Sequence, residues 1–238
     1  MASEDFDSNV GKAIIGAAPA AAPGSVTAML HWIIRAGVDG AGPLPAARVT
    51  AGKTLSRAGG DVEEAIGALV RQHISLAGAQ GFATNVGGIV VSLVSMPANI
   101  AGIAVIQARM VASIAHLRGY DVDDARVRQA ILMTLLGKKI VNDLIADKEF
   151  PGSPLVVATA PALDREVERI IAERVTSALL TQSGGKQLVS AVGRKIPIIG
   201  GGVGLATDGY NTMAVARYAR EQFVNRRPAI NRPADSDQ

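Results

Sequence analysis

The stretch GGIVVSLVSMPANIAGIAVIQA, from Gly87 to Ala108, contains no charged residue, although charged residues make up 19% of the chain. The uncharged run is longer still, because no Asp, Glu, Lys or Arg occurs in the 37 residues between Arg71 and Arg109. An apolar run of this length is long enough to cross or enter a membrane, and it can equally fill the core of a helical protein. The rest of the sequence bears on which of these it does.

The composition predicts an all-α protein. Hydrophobic residues make up 48% of the 238 residues and aromatic residues only 3%, so the apolar content is mainly Ala, Val, Ile and Leu. These residues suit closely packed helices better than a β-sandwich. The chain has no cysteine, which excludes disulfides, thiolate nucleophiles and cysteine-ligated metal sites. We therefore expect a single multi-helix bundle.

The two ends of the chain differ from its middle. Glu4, Asp5 and Asp7 stand where an export signal would be basic, so no export signal is expected. The net charge of +3 comes from the C-terminal part, where no aromatic residues are interleaved with the bases, a pattern that gives little support to nucleic-acid binding. We expect a flexible segment over 1–24, one helical domain over 25–225 and a disordered basic and polar tail over 226–238.

Several helix boundaries follow from local signals. Asp61, with Glu64 three residues later, predicts the start of an amphipathic helix, and Gly119 predicts the end of the long helix that contains Arg109. A new helix is expected to start at Asp121 or Asp123. Residues 151–161 are predicted to be a linker, and the glycine-rich segment after Pro197 a hinge.

Pro97 divides the uncharged run, because an interior proline removes a backbone hydrogen bond and clashes with the preceding turn. We expect two helices that form a hairpin, or a sharp kink at that point. The central proline, Asn99, the glycines and the lack of flanking Trp or Tyr argue against a spanning helix. The hairpin is therefore expected either to enter one leaflet or to fill a core. Its working residues are Ile89, Val90, Val94, Met96, Pro97, Asn99, Ile100 and Ile103.

Small residues let helices approach closely, so the glycines around this run are expected to pack helices together. They are Gly87, Gly88, Gly200, Gly201, Gly202 and Gly204.

One polar site is a candidate: Arg109, His116, Tyr120 and Asp121. The acidic residues from Asp121 to Asp124 could hold a hard cation, but aspartate at a helix start also caps free amides. No nucleophile elbow and no histidine ligand spacing is present. We therefore expect no catalytic residues, no metal and no cofactor.

The sequence resembles the EcsC family of bacterial proteins over roughly residues 50–224. The resemblance rests on Gly81 and Phe82, Gly87 and Gly88, Pro97 and Ala98, residues 114–121 (IAHLRGYD), Ile196 and Pro197, and Arg217. Where members of that family commonly have Pro-Ala-Asp, this chain has Asn99 as the third residue. The resemblance implies a largely helical protein, and the family's namesake is linked to an ABC-type transporter and to secretion.

We thus expect a membrane-associated, non-catalytic accessory protein at the inner face of the bacterial cell membrane, which binds lipid or a membrane complex such as an ABC-type transporter. Arg217, Arg220, Arg226 and Arg227 are predicted to contact an anionic leaflet. The alternative is a soluble helical scaffold or self-assembling protein, possible as a homo-oligomer, with the hairpin as its core. A metal-dependent hydrolase that uses His116 and the aspartates is a third reading.

Overall fold

The computed structural model describes residues 26–41, 44–86, 88–177 and 197–227, and the side chains of 26–29, 79–101 and 197–208 lie outside that description. This part of the chain is all-α, as the sequence predicts. The helices are α1 (Val26–Ile34), a π-helical turn (Arg35–Asp39), α2 (Ala47–Arg57), α3 (Val62–Val86), α4 (Gly88–Leu117), α5 (Ala125–Leu135), α6 (Lys138–Ala146), α7 (Pro154–Thr159), α8 (165–177) and α9 (Pro197–Gln222).

The helix ends follow the local chemistry of the sequence. The Asp61 carboxylate accepts a hydrogen bond of 2.9 Å from the Glu64 amide and so caps α3, as predicted. Gly119, with φ of +89°, ends α4, and Gly137, with φ of +80°, separates α5 from α6. The start of α5 lies later than expected, because Asp124 is its N-cap and accepts from the Arg126 amide.

The prediction that two separate helices meet at Pro97 is wrong, while a kink at Pro97 stays a prediction. Helix α4 continues without interruption from Gly88 to Leu117, so Pro97 lies inside it. The uncharged run is instead shared by two helices: α3 ends at Val86 and α4 begins at Gly88. A proline costs a helix one hydrogen bond and bends it, but it need not end it when neighbouring helices hold both halves.

Two other predictions, the linker over 151–161 and the glycine-rich hinge after Pro197, are also wrong. Within the predicted linker, Pro154 stands at the start of α7, which packs against α5. The predicted hinge is the beginning of α9, which starts at Pro197 and continues through the glycine run. Proline is favoured in the first turn of a helix because its missing amide proton is unpaired there anyway.

Helix α4 forms the centre of the core. Every residue from Ala104 to Ala115 is buried, including Gln107, Arg109 and Ser113. Several elements cover this helix: α3 and α9 pack on it, and so do α2 and the π-helical turn. Gly37 of that turn lies so close that an added Cβ would be 2.9 Å from Ala108 Cβ. A helix that is apolar over most of its circumference is buried on all sides.

Candidate functional site

Three long helices define the axis of the bundle. The Glu63 carboxylate, at the start of α3, lies 2.6 Å from the Arg118 guanidinium just after α4 and 2.9 Å from that of Arg220 near the end of α9. Helix α3 therefore runs antiparallel to α4 and α9. The end of α3 and the beginnings of α4 and α9 consequently lie at the same end of the bundle.

That end carries no charge on any of the three helices. Residues 72–86 of α3, 88–108 of α4 and 197–207 of α9 contain no Asp, Glu, Lys or Arg. At 1.5 Å per residue these segments are about 22, 32 and 17 Å long. We call them together the uncharged end.

The first charges on the three helices lie at nearly the same height. Gly209 faces Ile74, where an added Cβ would be 3.7 Å from Ile74 Cγ2, so position 208 lies beside position 75 of α3. Arg109 interacts electrostatically with His73. The first charge on α3 itself is Arg71. Measured along α3, the first charges of the three helices therefore lie between positions 71 and 75, a distance of about 6 Å.

The opposite end is rich in ion pairs between elements, and we call it the charged end. Besides the pairs of Glu63, Lys138 binds Glu221 at 2.8 Å. Arg128 binds Asp39 at 2.7 Å and Asp123 at 3.2 Å. Such pairs are exposed or half-buried and contribute about 0–1 kcal/mol each. Their position matters more here than their strength, because it shows that charge is segregated along the axis.

A buried polar layer lies at the boundary. Gln107 Nε2 donates to Thr212 Oγ1 at 3.3 Å and so joins α4 to α9. Arg109, 5% exposed, donates to the Pro45 carbonyl and to Thr50 Oγ1. Both acceptors are neutral, and among the described residues no carboxylate lies within ion-pairing distance of Arg109. His73, 1% exposed, completes the layer.

Burial changes the pKa values of this layer. It lowers the pKa of His73 to about 4, and the nearby positive charge of Arg109 acts in the same direction. His73 Nδ1 lies 2.8 Å from the Leu69 carbonyl oxygen, which can only accept, so Nδ1 carries the proton. His73 Nε2 has no hydrogen-bond partner. Burial also lowers the pKa of Arg109 to about 10, so at neutral pH His73 is uncharged and Arg109 is charged.

The structure separates one residue of the predicted polar site, Arg109, from the others. Arg109 belongs to the boundary layer, whereas Tyr120, eleven positions later, packs edge-on against Phe223 at 5.1 Å. His116 is half-buried, and burial followed by the charges of Arg227 and Arg48 lowers its pKa. Asp121 is exposed and accepts from the Asp123 amide at 2.9 Å. Arg109 is therefore apart from the other three residues, whereas His116 and Asp121 are close enough to interact electrostatically.

The aspartates next to the predicted polar site bind backbone amides and arginine side chains. Asp124 caps α5, and the hydrogen bond from Arg126 holds the pKa of its carboxyl below the ordinary value. Asp123 pairs with Arg48 and Arg128. Within the described ranges no three His, Asp or Glu side chains are grouped so that they could hold a metal ion.

Three of the four arginines that were predicted to contact an anionic leaflet lie away from the uncharged end. Arg220 is paired with Glu63 at the charged end. The Arg226 amide donates to the Arg118 carbonyl at 2.8 Å, and its guanidinium lies 5.2 Å from the Tyr120 ring centre. Arg227 Nη2 donates to the His116 carbonyl at 3.1 Å. The first two residues of the predicted disordered tail are thus packed at the end of α4, and only Arg217 of the four lies between the two ends.

The predicted hairpin residues all belong to α4, and Ile103 is half-buried, while the other side chains of that set lie outside the described ones. Gly88 begins α4 and the glycines from 200 to 204 lie in the first turns of α9. Gly87 is outside the described residues. No helix in the described ranges is long and apolar enough to cross a membrane.

No family model, curated protein or solved structure matches this chain. Its function is therefore argued from the geometry.

Sequence reasoning missed the exposed residues at the boundary. Tyr210 is 71% exposed and Met213 37% exposed, both on α9. No Trp or Tyr flanks the run 87–108 in the sequence. The tyrosine at this height comes from α9, a hundred residues later. Only the pairing of α9 with α3 reveals it.

Proposed function

We propose that the protein is a non-catalytic accessory protein that associates with a membrane by placing its uncharged end in one leaflet. The observation that supports this is the common height at which the uncharged segments of the three helices begin: the first charges on these helices differ in height by only about 6 Å. A helix surrounded by water normally carries polar and charged residues on its outer face. Here three neighbouring segments carry no Asp, Glu, Lys or Arg on any face.

Helices are suited to this role because their backbone hydrogen bonds are satisfied internally. A leaflet offers about 15 Å of hydrocarbon, half the thickness of the bilayer core, and each uncharged segment is at least that long. The resemblance to the EcsC family favours the same function and adds a membrane complex, such as an ABC-type transporter at the cytoplasmic face, as the partner.

Flotation with lipid vesicles tests the proposal. We expect the purified protein to float with vesicles of phosphatidylcholine and phosphatidylglycerol, and Val94→Arg, in the uncharged segment of α4, to remain at the bottom of the gradient. A buried charge in hydrocarbon costs several kcal/mol. Val49→Arg is the matched control, because Val49 is 43% exposed on α2. If the unchanged protein stays at the bottom, the proposed function is wrong.

A second experiment measures depth. The chain has no cysteine, so a single introduced cysteine can be labelled uniquely with an environment-sensitive fluorophore. Ser75 and Glu64 are both exposed on α3, on either side of Arg71 and about 16 Å apart along the axis. With vesicles, the label at Ser75→Cys should shift to the blue and that at Glu64→Cys should not. Equal shifts would contradict entry by the uncharged end.

The competing function is a soluble scaffold in which a second copy covers the uncharged end. It is favoured by the burial of α4 from Ala104 to Ala115, which shows that this helix already serves as a core. In that case the unchanged protein sediments as an oligomer without lipid and does not float. Val94→Arg then lowers the oligomer mass or the melting temperature, which analytical ultracentrifugation and circular dichroism separate.

A further inference from the structure

We propose that the surface which meets the lipid headgroups is the exposed side of α3 and α9 at the charge boundary, and that it binds anionic phospholipid. The inference rests on the proposed function and names the class of lipid. The surface consists of Arg71, Tyr210, Met213 and Arg217, which we call the boundary patch.

The four residues share one side of the bundle. Helices α3 and α9 lie side by side, as the contact between Gly209 and Ile74 and the ion pair between Glu63 and Arg220 show. Their inner faces pack on the core, so their exposed residues point to the same solvent side. All four members are exposed.

The heights match the expected plane of the headgroups. By the pairing of Gly209 with Ile74, Tyr210 lies beside His73, and Arg217 lies about 10 Å further toward the charged end. The Arg217 Nη2 atom is 3.2 Å from Met213 Sδ, so its side chain extends back along α9 toward the uncharged end. Headgroup regions add roughly 5–8 Å to each side of the hydrocarbon.

Both cations of the patch lack a carboxylate partner among the described residues. Arg71 makes no ion pair or hydrogen bond there, and Arg217 contacts only the Met213 sulfur. Of the acids on these helices, Glu221 binds Lys138 and Glu63 binds two arginines, whereas Glu64 is exposed on α3. No carboxylate among the described side chains holds Arg71 or Arg217, so both guanidinium groups are available to a ligand.

Tyr210 supplies the other half of an interfacial contact. Tyrosine is enriched where membranes meet water, because its ring is apolar and its hydroxyl remains hydrated. An aromatic ring that is 71% exposed beside two unpaired arginines is complementary to a layer of lipid phosphates over hydrocarbon. The guanidinium group of arginine matches the geometry of phosphate oxygens and can bind them with two hydrogen bonds.

Vesicle partitioning measures the lipid preference. The probes are vesicles of phosphatidylcholine alone and vesicles with added phosphatidylglycerol, used at low salt. Each arginine near an anionic surface contributes roughly fivefold, so we expect about thirtyfold tighter binding to the anionic vesicles. Raising the salt concentration should reduce the preference.

Matched variants assign the preference to the patch. Arg71→Gln with Arg217→Gln should remove most of it while binding to neutral vesicles remains. Lys148→Gln with Arg165→Gln removes the same net charge from two exposed residues elsewhere and should keep it. Tyr210→Ala should weaken binding to both vesicles severalfold without changing their ratio. Circular dichroism melting curves verify that each variant folds.

The outcomes separate the inference from the function on which it rests. Binding to both kinds of vesicle without preference, or equal losses in the two double variants, would overturn the boundary patch and leave membrane association standing. Failure to bind either vesicle would remove both.

Discussion

The buried layer at the charge boundary predicts how stability depends on pH. The folded pKa of His73 is about 4, against 6.5 for the unfolded chain. Between these values the unfolded state binds more protons, so stability rises with pH through this window and is lost as the pH falls. The difference of pKa corresponds to about 3 kcal/mol in the limit, and about 2 kcal/mol of it is lost between roughly pH 7 and pH 5.

The variant that isolates this effect is His73→Asn, whose side-chain amide can still donate to the Leu69 carbonyl but does not titrate. We expect urea denaturation curves to show that the free energy of unfolding of the original protein falls by about 2 kcal/mol more than that of His73→Asn over this range. Taking the difference cancels the titration of carboxylates and of His116. His31→Asn, at an exposed position on α1, is the control. Parallel curves for the original protein and His73→Asn would refute the burial of His73 beside Arg109.

Three further changes test the packing. Gly37→Ala should cost about 1–3 kcal/mol, because its Cβ would meet Ala108 and the backbone of α4, whereas Gly52→Ala, with nothing within 4 Å, should stabilise α2 by up to about 1 kcal/mol in chemical denaturation. Asp124→Ala should lower stability by about 1 kcal/mol through loss of the α5 cap, and Asp124→Asn should retain most of it in the same assay. Phe223→Ala should cost about 3–5 kcal/mol and lower the melting temperature, because the ring is fully buried against Tyr120; an unchanged melting temperature would contradict that packing.

The helical class, the start of α3 and the end of α4 could be predicted from sequence because their causes are local. The cap at Asp61 depends on a residue three positions away, and Gly119 and Gly137 end or separate helices through their own φ angles. Proline was harder to interpret, since the same residue ends a helix from the inside and starts one in the first turn. Pro97, Pro154 and Pro197 differ in which of these applies, and only the flanking packing decides it.

The candidate site could not be predicted, because it is made by pairings across the chain. The predicted set of Arg109, His116, Tyr120 and Asp121 is close in sequence, yet Arg109 and His116 are seven residues apart along α4, and Tyr120 and Asp121 follow the end of that helix. The residues that do share a height, Tyr210 and His73, are separated by more than a hundred positions. Charge patterns in the sequence mislead for the same reason. Arg226 and Arg227 belong to the basic C-terminal part of the chain, but their hydrogen bonds hold them at the C-terminal end of α4, away from the uncharged end.

The contacts between α3 and α4, and not the symmetry of the uncharged run, give the level boundary. Helix α3 ends at Val86 and α4 begins at Gly88, so the uncharged segment of α4 is about 9 Å longer than that of α3. The ion pair between Glu63 and Arg118 nevertheless sets Arg71, which faces out, within about two residues of the height of Arg109, which faces in. A soluble core does not require this, because its charges need only avoid the interior. Contact with a planar membrane surface does require the first charges to lie at one height. Helix α9, which comes from a distant part of the chain, reaches its first charge at nearly the same height. This coincidence of three helices is the reason to test lipid before any other partner.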